Sequence, residues 1–314
     1  MSYTLPFKKL SKNDASIAGG KGASLGEMLN AGIPVPDGFV VLADTFEKFI
    51  AETDLNVEID SILSTVDKEA MHTIEEASST IQELILNSET PKDIADEILD
   101  QFDKLGAEFV AVRSSATSED SAEHAWAGQL DSFLNTKREN IVETVKKCWA
   151  SLFTPRAIFY RFEKDLGDTD ISVAVVVQKM VNSEKSGIAF SVHPVTEDHN
   201  QLIIEAGFGL GEAIVSGQIT PDSYVVEKDE MNILDVNVAE QERGMFRDEK
   251  GGNKWEDLGE NGSQQVLTGK QIIEFSDLII RIEKHYGIPQ DIEWAMEGDN
   301  FYVVQSRPIT TLSN

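Results

Sequence analysis

Two stretches near the C-terminus carry the side chains best suited to chemistry. They are Asp291-Ile292-Glu293-Trp294-Ala295-Met296-Glu297 and Phe301-Tyr302-Val303-Val304-Gln305-Ser306-Arg307. Both alternate polar and apolar residues, the period of a half-buried strand. Gly298-Asp299-Asn300 between them reads as a three-residue hairpin loop, Gly and Asn accepting the positive φ it needs. Such a loop sets Glu297 opposite Phe301, Ala295 opposite Val303, Glu293 opposite Gln305 and Asp291 opposite Arg307. Directly opposed residues share a face. One face therefore ends in two carboxylates, an amide and a guanidinium. Ile292, Trp294, Met296, Tyr302 and Val304 form the other, a core face. A carboxylate beside an amide oxygen offers hard ligands to magnesium, and a neighbouring Arg can fork a phosphate. The same residues also suit a cross-strand ion pair on a solvated face. A two-residue loop would shift the register by one and split the four groups between faces.

Anion-binding chemistry also has candidates nearer the N-terminus. Gly19-Gly20-Lys21-Gly22 leads into a short helix with Leu25, Met28 and Leu29 on one face, stopped near Gly32. It is not a Walker A loop, because Gly22 stands where Ser or Thr is required and the upstream glycine is missing. Glycines beside a lysine at a helix N-terminus still bring backbone N–H groups and an ammonium to one place; a tight turn with a solvated lysine has the same sequence. Phe109–Ala116 is a strand whose apolar run is closed by Arg113, facing either a carboxylate or a ligand. Beyond the polar loop 117–124, Ala127-Gly128-Gln129 suits a mobile cover or an ordinary turn.

The elements that must position these groups fall into two parts. Val35–Val41 reads as a turn and a buried strand, and Thr45 to about Leu105 as helical scaffold, with Ile74, Ile81, Leu84 and Ile85 at helical spacing. Helices follow at about Glu139–Ser151 and Pro155–Lys164. At Ile171 the character changes to β-branched strands, namely 171–181, 186–192, 202–206 and 222–226, with one late helix at about Gly269–Tyr286. The division expected is 1–170 and 171–314, with Glu249–Ser263 a Gly- and charge-rich loop. Gly207-Phe208-Gly209-Leu210-Gly211 fails the dinucleotide fingerprint because Glu212 replaces its third glycine.

Composition bounds the function. The 314 residues carry a formal net charge of −28, which argues against nucleic acid or an anionic membrane as partner. A single nucleotide with magnesium is compatible with it. The one cysteine, Cys148, excludes an intramolecular disulfide and reads as a buried structural thiol. Neither a membrane-length apolar run nor a signal-peptide layout is present, so a cytoplasmic protein is expected.

Taken in order, the marks form a set: Gly19-Gly20-Lys21-Gly22, Val112-Arg113-Ser114-Ser115-Ala116, Ala127-Gly128-Gln129, Gln178-Lys179-Met180-Val181, Gly187–Pro194, Gly207–Glu212, Asp291-Ile292-Glu293 and Gln305-Ser306-Arg307-Pro308. The set resembles the N-terminal nucleotide-binding domain of the phosphoenolpyruvate synthase and pyruvate phosphate dikinase family, shared by rifampin phosphotransferases, and covers essentially the whole chain. The resemblance implies an α/β (α+β) ATP-grasp fold whose two subdomains close on ATP. It assigns phosphates to Lys21 and Arg113, their cover to Gly128 and Gln129, and the adenine border to Gln178, Met180 and Val181. Glu293 and Gln305 would ligate Mg2+, while Asp291 and Arg307 would organise the phosphate end; Lys21, Arg113 and Arg307 are the catalytic candidates.

Family members also carry a phosphohistidine domain and an acceptor domain. This chain ends at Asn314, and none of its histidines (His72, His124, His193, His199, His285) sits in a Gly-rich Thr-Ser-His loop. The resemblance thus implies transfer of the β-phosphoryl of Mg-ATP to a carrier histidine on another domain or chain, with AMP and phosphate released, as in conversion of pyruvate to phosphoenolpyruvate. Two alternatives stand beside it. One is the same half-reaction serving a rifampin-type antibiotic hydroxyl. The other is a non-catalytic module that responds to ATP, although a sensor has no need of Lys21, Arg113, Glu293, Gln305 and Arg307 together.

Overall fold

The computed structural model describes residues 2–117, 132–163, 173–310 and 312. In chain order the elements are β1 (Thr4–Pro6), α1 (Ala15–Asn30), β2 (Gly38–Val41), α2 (Ala43–Glu52), α3 (Leu55–Leu63), α4 (Met71–Asn87) and α5 (Lys92–Leu105). Next come β3 (Val110–Ala116), β4 (Ser132–Thr136), α6 (Ile141–Ala150), α7 (Pro155–Glu163), β5 (Val173–Lys179), β6 (Lys185–Phe190) and β7 (Gln201–Phe208). The last are α8 (Glu212–Val215), β8 (Asp222–Glu227), β9 (Ile233–Asn237), β10 (Arg243–Arg247), β11 (Asn253–Asp257), α9 (Gly269–Tyr286), β12 (Gln290–Glu297) and β13 (Asn300–Pro308). Two compact units result: residues 1–26 with 37–180, and residues 27–36 with 181–314. No described helix is long and apolar enough to cross a membrane.

The first unit is built on a five-stranded sheet in the order β1-β2-β5-β3-β4, with every neighbouring pair antiparallel. Its centre is β5, whose Val173, Val175, Val176 and Val177 are fully buried, as a β-branched run in a central strand should be. Helices α2 and α6 pack on this sheet, and α4 lies across α6 and α7. Trp149 of α6 anchors the interface, its ring 4.9 Å from Phe49 and 5.8 Å from Phe46. Cys148 beside it is buried and unbonded to sulfur. Lys146, also buried, points its ammonium at the carbonyls of Leu86 (2.9 Å) and Ser88 (3.0 Å), satisfying acceptors left over at the end of α4.

The short β1 is held by one carboxylate. Glu97 of α5 accepts hydrogen bonds from Ser2 Oγ (2.8 Å), Tyr3 N (2.9 Å), Thr4 N (2.8 Å) and Thr4 Oγ1 (2.7 Å). Burial by itself would raise the carboxyl's pKa, but the hydrogen bonds from Thr4, Ser2 and Tyr3 together outweigh it and hold the group below its ordinary 4.5. A depressed folded-state pKa contributes stability that is complete above 4.5 and is lost as pH falls through the folded value. In Glu97→Gln the first unit should therefore lose less stability between neutral pH and the acid range than the parent. Urea unfolding followed across that range reads the difference; parallel pH profiles would show that the clamp is not titrating.

The second unit carries a six-stranded antiparallel sheet in the order β13-β12-β6-β7-β8-β9 and a separate β10-β11 pair. The stretch Glu249–Ser263, expected to be a loop, contains β11, which pairs with β10 from Arg243↔Asp257 to Arg247↔Asn253. All of β11 except Trp255 is exposed, so no apolar alternation announced it. Helix α9 covers one face of the larger sheet with Ile272, Phe275, Ile279 and Ile282, a buried stripe at helical spacing. Its ends match the sequence: Thr268 and Gln271 form a capping box, and Gly287 leaves the helix with φ 72°. Buried Asp222 fastens the sheet to the segment entering α9, accepting from Tyr224 Oη (2.6 Å), Ala239 N (3.0 Å) and Val266 N (2.8 Å).

Candidate functional site

In the second unit the hairpin is tighter than the sequence suggested. Glu297 pairs with Asn300, leaving a two-residue loop in which Gly298 takes φ 58°. Met296 then opposes Phe301, Ala295 opposes Tyr302 and Trp294 opposes Val303, so the expected Ala295–Val303 and Glu297–Phe301 pairs do not form. A two-residue loop alone would send the polar residues to opposite faces. Between Trp294 and Glu293 the register shifts, however, because β13 carries one extra residue, Val304. Below this bulge Glu293 opposes Gln305, Ile292 opposes Ser306 and Asp291 opposes Arg307. The tight turn and the bulge cancel, and the four polar groups share one face.

The tighter turn also resets the core face between loop and bulge. Phe301 and Val303 are buried, whereas Tyr302 and Val304, the residues expected there, are half-buried. At this point Val303 N donates to Pro34 O (2.9 Å), which pins the irregular strand to the segment 27–36 of the same unit.

On the polar face Arg307 donates through Nε and Nη2 to one oxygen of Asp291, both at 2.9 Å. The Asp291 side chain is 14% exposed and that of Arg307 50%, so the carboxylate is the fixed partner and the guanidinium remains reachable from solvent. Glu293 and Gln305 lie one register step inward, both half-buried. The same row continues through Ile188 of β6 to Glu205 of β7. Burial, and then the charge of Asp291, raise the Glu205 pKa. Sequence reading passed over Glu205, although a carboxylate inside Leu202-Ile203-Ile204-Glu205-Ala206 was the available signal.

Glu293 and Gln305 suit magnesium by their chemistry. They supply two hard oxygen donors side by side, which is the small protein share Mg2+ takes when phosphates and water complete its shell. No group of three or more His, Cys, Asp or Glu placed to hold a metal occurs among the described residues.

In the first unit two cations come from adjoining elements. Gly19 breaks α1 with φ 66° and ψ 166°, so the helix restarts at the Gly20-Lys21-Gly22 segment. No other residue fits there: a Cβ on Gly19 would lie 2.1 Å from Ser115 Oγ and 2.4 Å from Ser115 O. Ser115 Oγ donates to Ala18 O (3.2 Å), and Lys21 Nζ donates to Ser114 O (3.2 Å). The lysine is thus tied to the end of β3, one residue from Arg113. Ser114 points the other way, toward Cys148 O (3.2 Å) and Ser151 Oγ (3.0 Å) of the helical layer. By strand alternation Arg113 and Ser115 point away from α6, to the face that meets the start of α1.

Gln178 belongs to this face as well, since it pairs with Ala111, two residues before Arg113. It is buried in central β5, also opposite Gly38, where any Cβ would lie 2.4 Å from Val177 O. The Met180 amide donates to Phe109 O (3.0 Å). Gly128 and Gln129, and also His124, lie outside the described residues. His193 Nδ1 accepts from Val195 N and Thr196 N, both at 3.2 Å, closing its own turn.

The family described as pyruvate phosphate dikinase, AMP/ATP-binding domain, matches residues 15–314. A probable phosphoenolpyruvate synthase of Methanocaldococcus jannaschii is 47% identical over 99% of this chain and 27% of its own length. One from Archaeoglobus fulgidus is 49% identical over 96% of the chain and 41% of its own length. A rifampicin phosphotransferase of Bacillus cereus is 40% identical over 99% of the chain and 36% of its own length. The chain therefore spans less than half the length of these relatives.

Proposed function

Because the chain belongs to the pyruvate phosphate dikinase AMP/ATP-binding domain family, we propose that it binds Mg-ATP and readies the β-phosphoryl for transfer to a carrier histidine. The observation that carries this reading is the hairpin register, in which a bulge restores Glu293, Gln305, Asp291 and Arg307 to one face. A solvated ion pair needs no such compensation; a ligand set does.

We assign Lys21 and Arg113 to the phosphates and Glu293 and Gln305 to magnesium. Arg307, steadied by Asp291, takes the phosphate end. Gly128 and Gln129 cover the phosphates, and Gln178 with the Met180 and Val181 backbone borders the adenine. Magnesium, when bound, neutralises charge on the phosphate oxygens. Phosphoryl transfer asks the protein for alignment and charge stabilisation more than for a strong base. In the step proposed, an imidazole nitrogen attacks the β-phosphorus and the bond to the α-phosphate oxygen breaks. AMP leaves, and the γ-phosphoryl is released to water as phosphate. The histidine belongs to another domain or chain, in an ATP-grasp arrangement.

Two acceptors remain for the phosphohistidine. Pyruvate matches the phosphoenolpyruvate synthases among the relatives, and an antibiotic hydroxyl matches the rifampicin phosphotransferase. Calorimetric titration with ATP, with and without magnesium, tests the shared half. Affinity that depends on magnesium is expected, as is label transfer from β-labelled ATP to an added phosphohistidine domain with AMP formed. Absence of magnesium-dependent affinity would overturn the reading.

A further inference from the structure

Behind the polar face of the hairpin runs an unbroken chain of hydrogen bonds, partly buried at its Lys228–Glu283 end and buried at Ser306. Lys228, just after β8, donates through Nζ to Glu283 Oε2 of α9 (2.7 Å). Ser191, just after β6, donates through Oγ to the other oxygen, Glu283 Oε1 (3.1 Å). The backbone N of Gln290 donates to Ser191 Oγ (2.8 Å), and Ser191 N donates back to Gln290 O (2.9 Å). Ser306 Oγ then donates to Gln290 Oε1 (2.8 Å), while Gln290 Nε2 reaches Ile288 O (3.2 Å) and Pro289 O (3.3 Å). Ser191, Gln290 and Ser306 are all buried.

Apolar side chains of similar size would fill this layer without the desolvation cost of a partly buried ion pair and a buried amide. What a fully satisfied polar chain adds is a fixed orientation. Its end point is informative. Ser306 faces the core opposite Ile292, and strand alternation puts its neighbours, Gln305 and Arg307, on the opposite, polar face.

We propose that Lys228, Glu283, Ser191 and Gln290 act through Ser306 as positioning residues that hold Gln305 and Arg307 in the orientation magnesium and phosphate require. This rests on the Mg-ATP reading above. Groups behind a metal ligand commonly change metal affinity without touching the metal. Lys228 makes the sharpest probe, because β8 is separated from β12 by β6 and β7.

The test uses the 314-residue chain and two readouts: amide hydrogen exchange at Gln305, Ser306 and Arg307, and Kd for ATP with and without magnesium. Ser306→Ala should speed exchange at these amides and raise the Mg-ATP Kd about tenfold, Lys228→Met about threefold, with magnesium-free ATP binding nearly unchanged. Ser306→Thr keeps the hydroxyl and should restore both readouts. Tyr224→Phe, which cuts the bond to Asp222 elsewhere in the unit, controls for lost stability alone. If Ser306→Ala and Lys228→Met lower Tm as Tyr224→Phe does, yet leave exchange and Kd at parental values, the proposal is overturned. A parent chain with no magnesium-dependent affinity would instead sink the Mg-ATP reading. The exchange measurement would then still decide whether the chain of bonds holds the strand.

Discussion

Glu293→Ala is expected to raise the Kd for Mg-ATP on the order of 100-fold, about 2.8 kcal/mol, while the second unit keeps its melting temperature. The asymmetry follows from where the carboxylate stands. It is half-buried on the polar face, with Asp291 two residues away on the same strand and Glu205 further along its row, so the fold gains nothing from its charge. Removing it relieves like-charge repulsion and opens no core cavity. The nucleotide loses one of two assigned magnesium ligands, and the remaining amide of Gln305 carries no charge. Arg307→Ala should weaken Mg-ATP comparably but cost the fold slightly more, because Asp291 loses its partner; an exposed pair of this kind is worth roughly 0–1 kcal/mol. Titration with ATP at several magnesium concentrations, beside a thermal melt, separates the effects. If Glu293→Ala lowered Tm while leaving Mg-ATP affinity intact, the polar face would be a structural surface and the ligand assignment would fall.

The hairpin also shows what a sequence can and cannot disclose. Alternation identifies which residues of one strand share a face, so the pairs Asp291 with Glu293 and Gln305 with Arg307 were legible on that ground. Loop length and bulge position were not, because they depend on a partner far back in the chain: Val303 N reaches the carbonyl of Pro34. Two local errors cancelled at the polar end and remained visible at the loop end, where Phe301 and Val303 displaced Tyr302 and Val304 from the core. Helix α9 was legible to its ends because its signals are local, Thr268 with Gln271 at the start and Gly287 at the finish. The approach of Lys21 to β3 was not, since it needs the backbone of Gly19 to lie against Ser115, a contact no spacing records. Strand β11 was hidden by its exposure, and the carboxylate of Glu205 by the apolar residues around it.

Trp294→Ala should do the reverse of Glu293→Ala. Trp294 is 1% exposed. It sits opposite Gly187 and Val303, with its ring 4.9 Å from Phe275 of α9 and 5.6 Å from Phe301. Gly187 cannot swell to refill the space, since a Cβ there would lie 1.8 Å from Glu205 O. A cavity is therefore left at the joint of sheet and helix, costing about 3–5 kcal/mol. At roughly 3 °C per kcal/mol for a unit of this size, the melting transition should fall on the order of 10–15 °C. Well below that transition the polar face keeps all its groups, and Mg-ATP affinity should stay near the parental value. Trp294→Phe refines the argument. The indole Nε1 is buried with no hydrogen-bond partner among the described residues, so the smaller ring loses volume but also sheds an unsatisfied donor worth about 1–3 kcal/mol. Its melting temperature should consequently lie much nearer the parent than that of Trp294→Ala. Equal losses in the two variants would mean that Trp294 serves through its nitrogen, and that the packing given for this face of β12 is wrong.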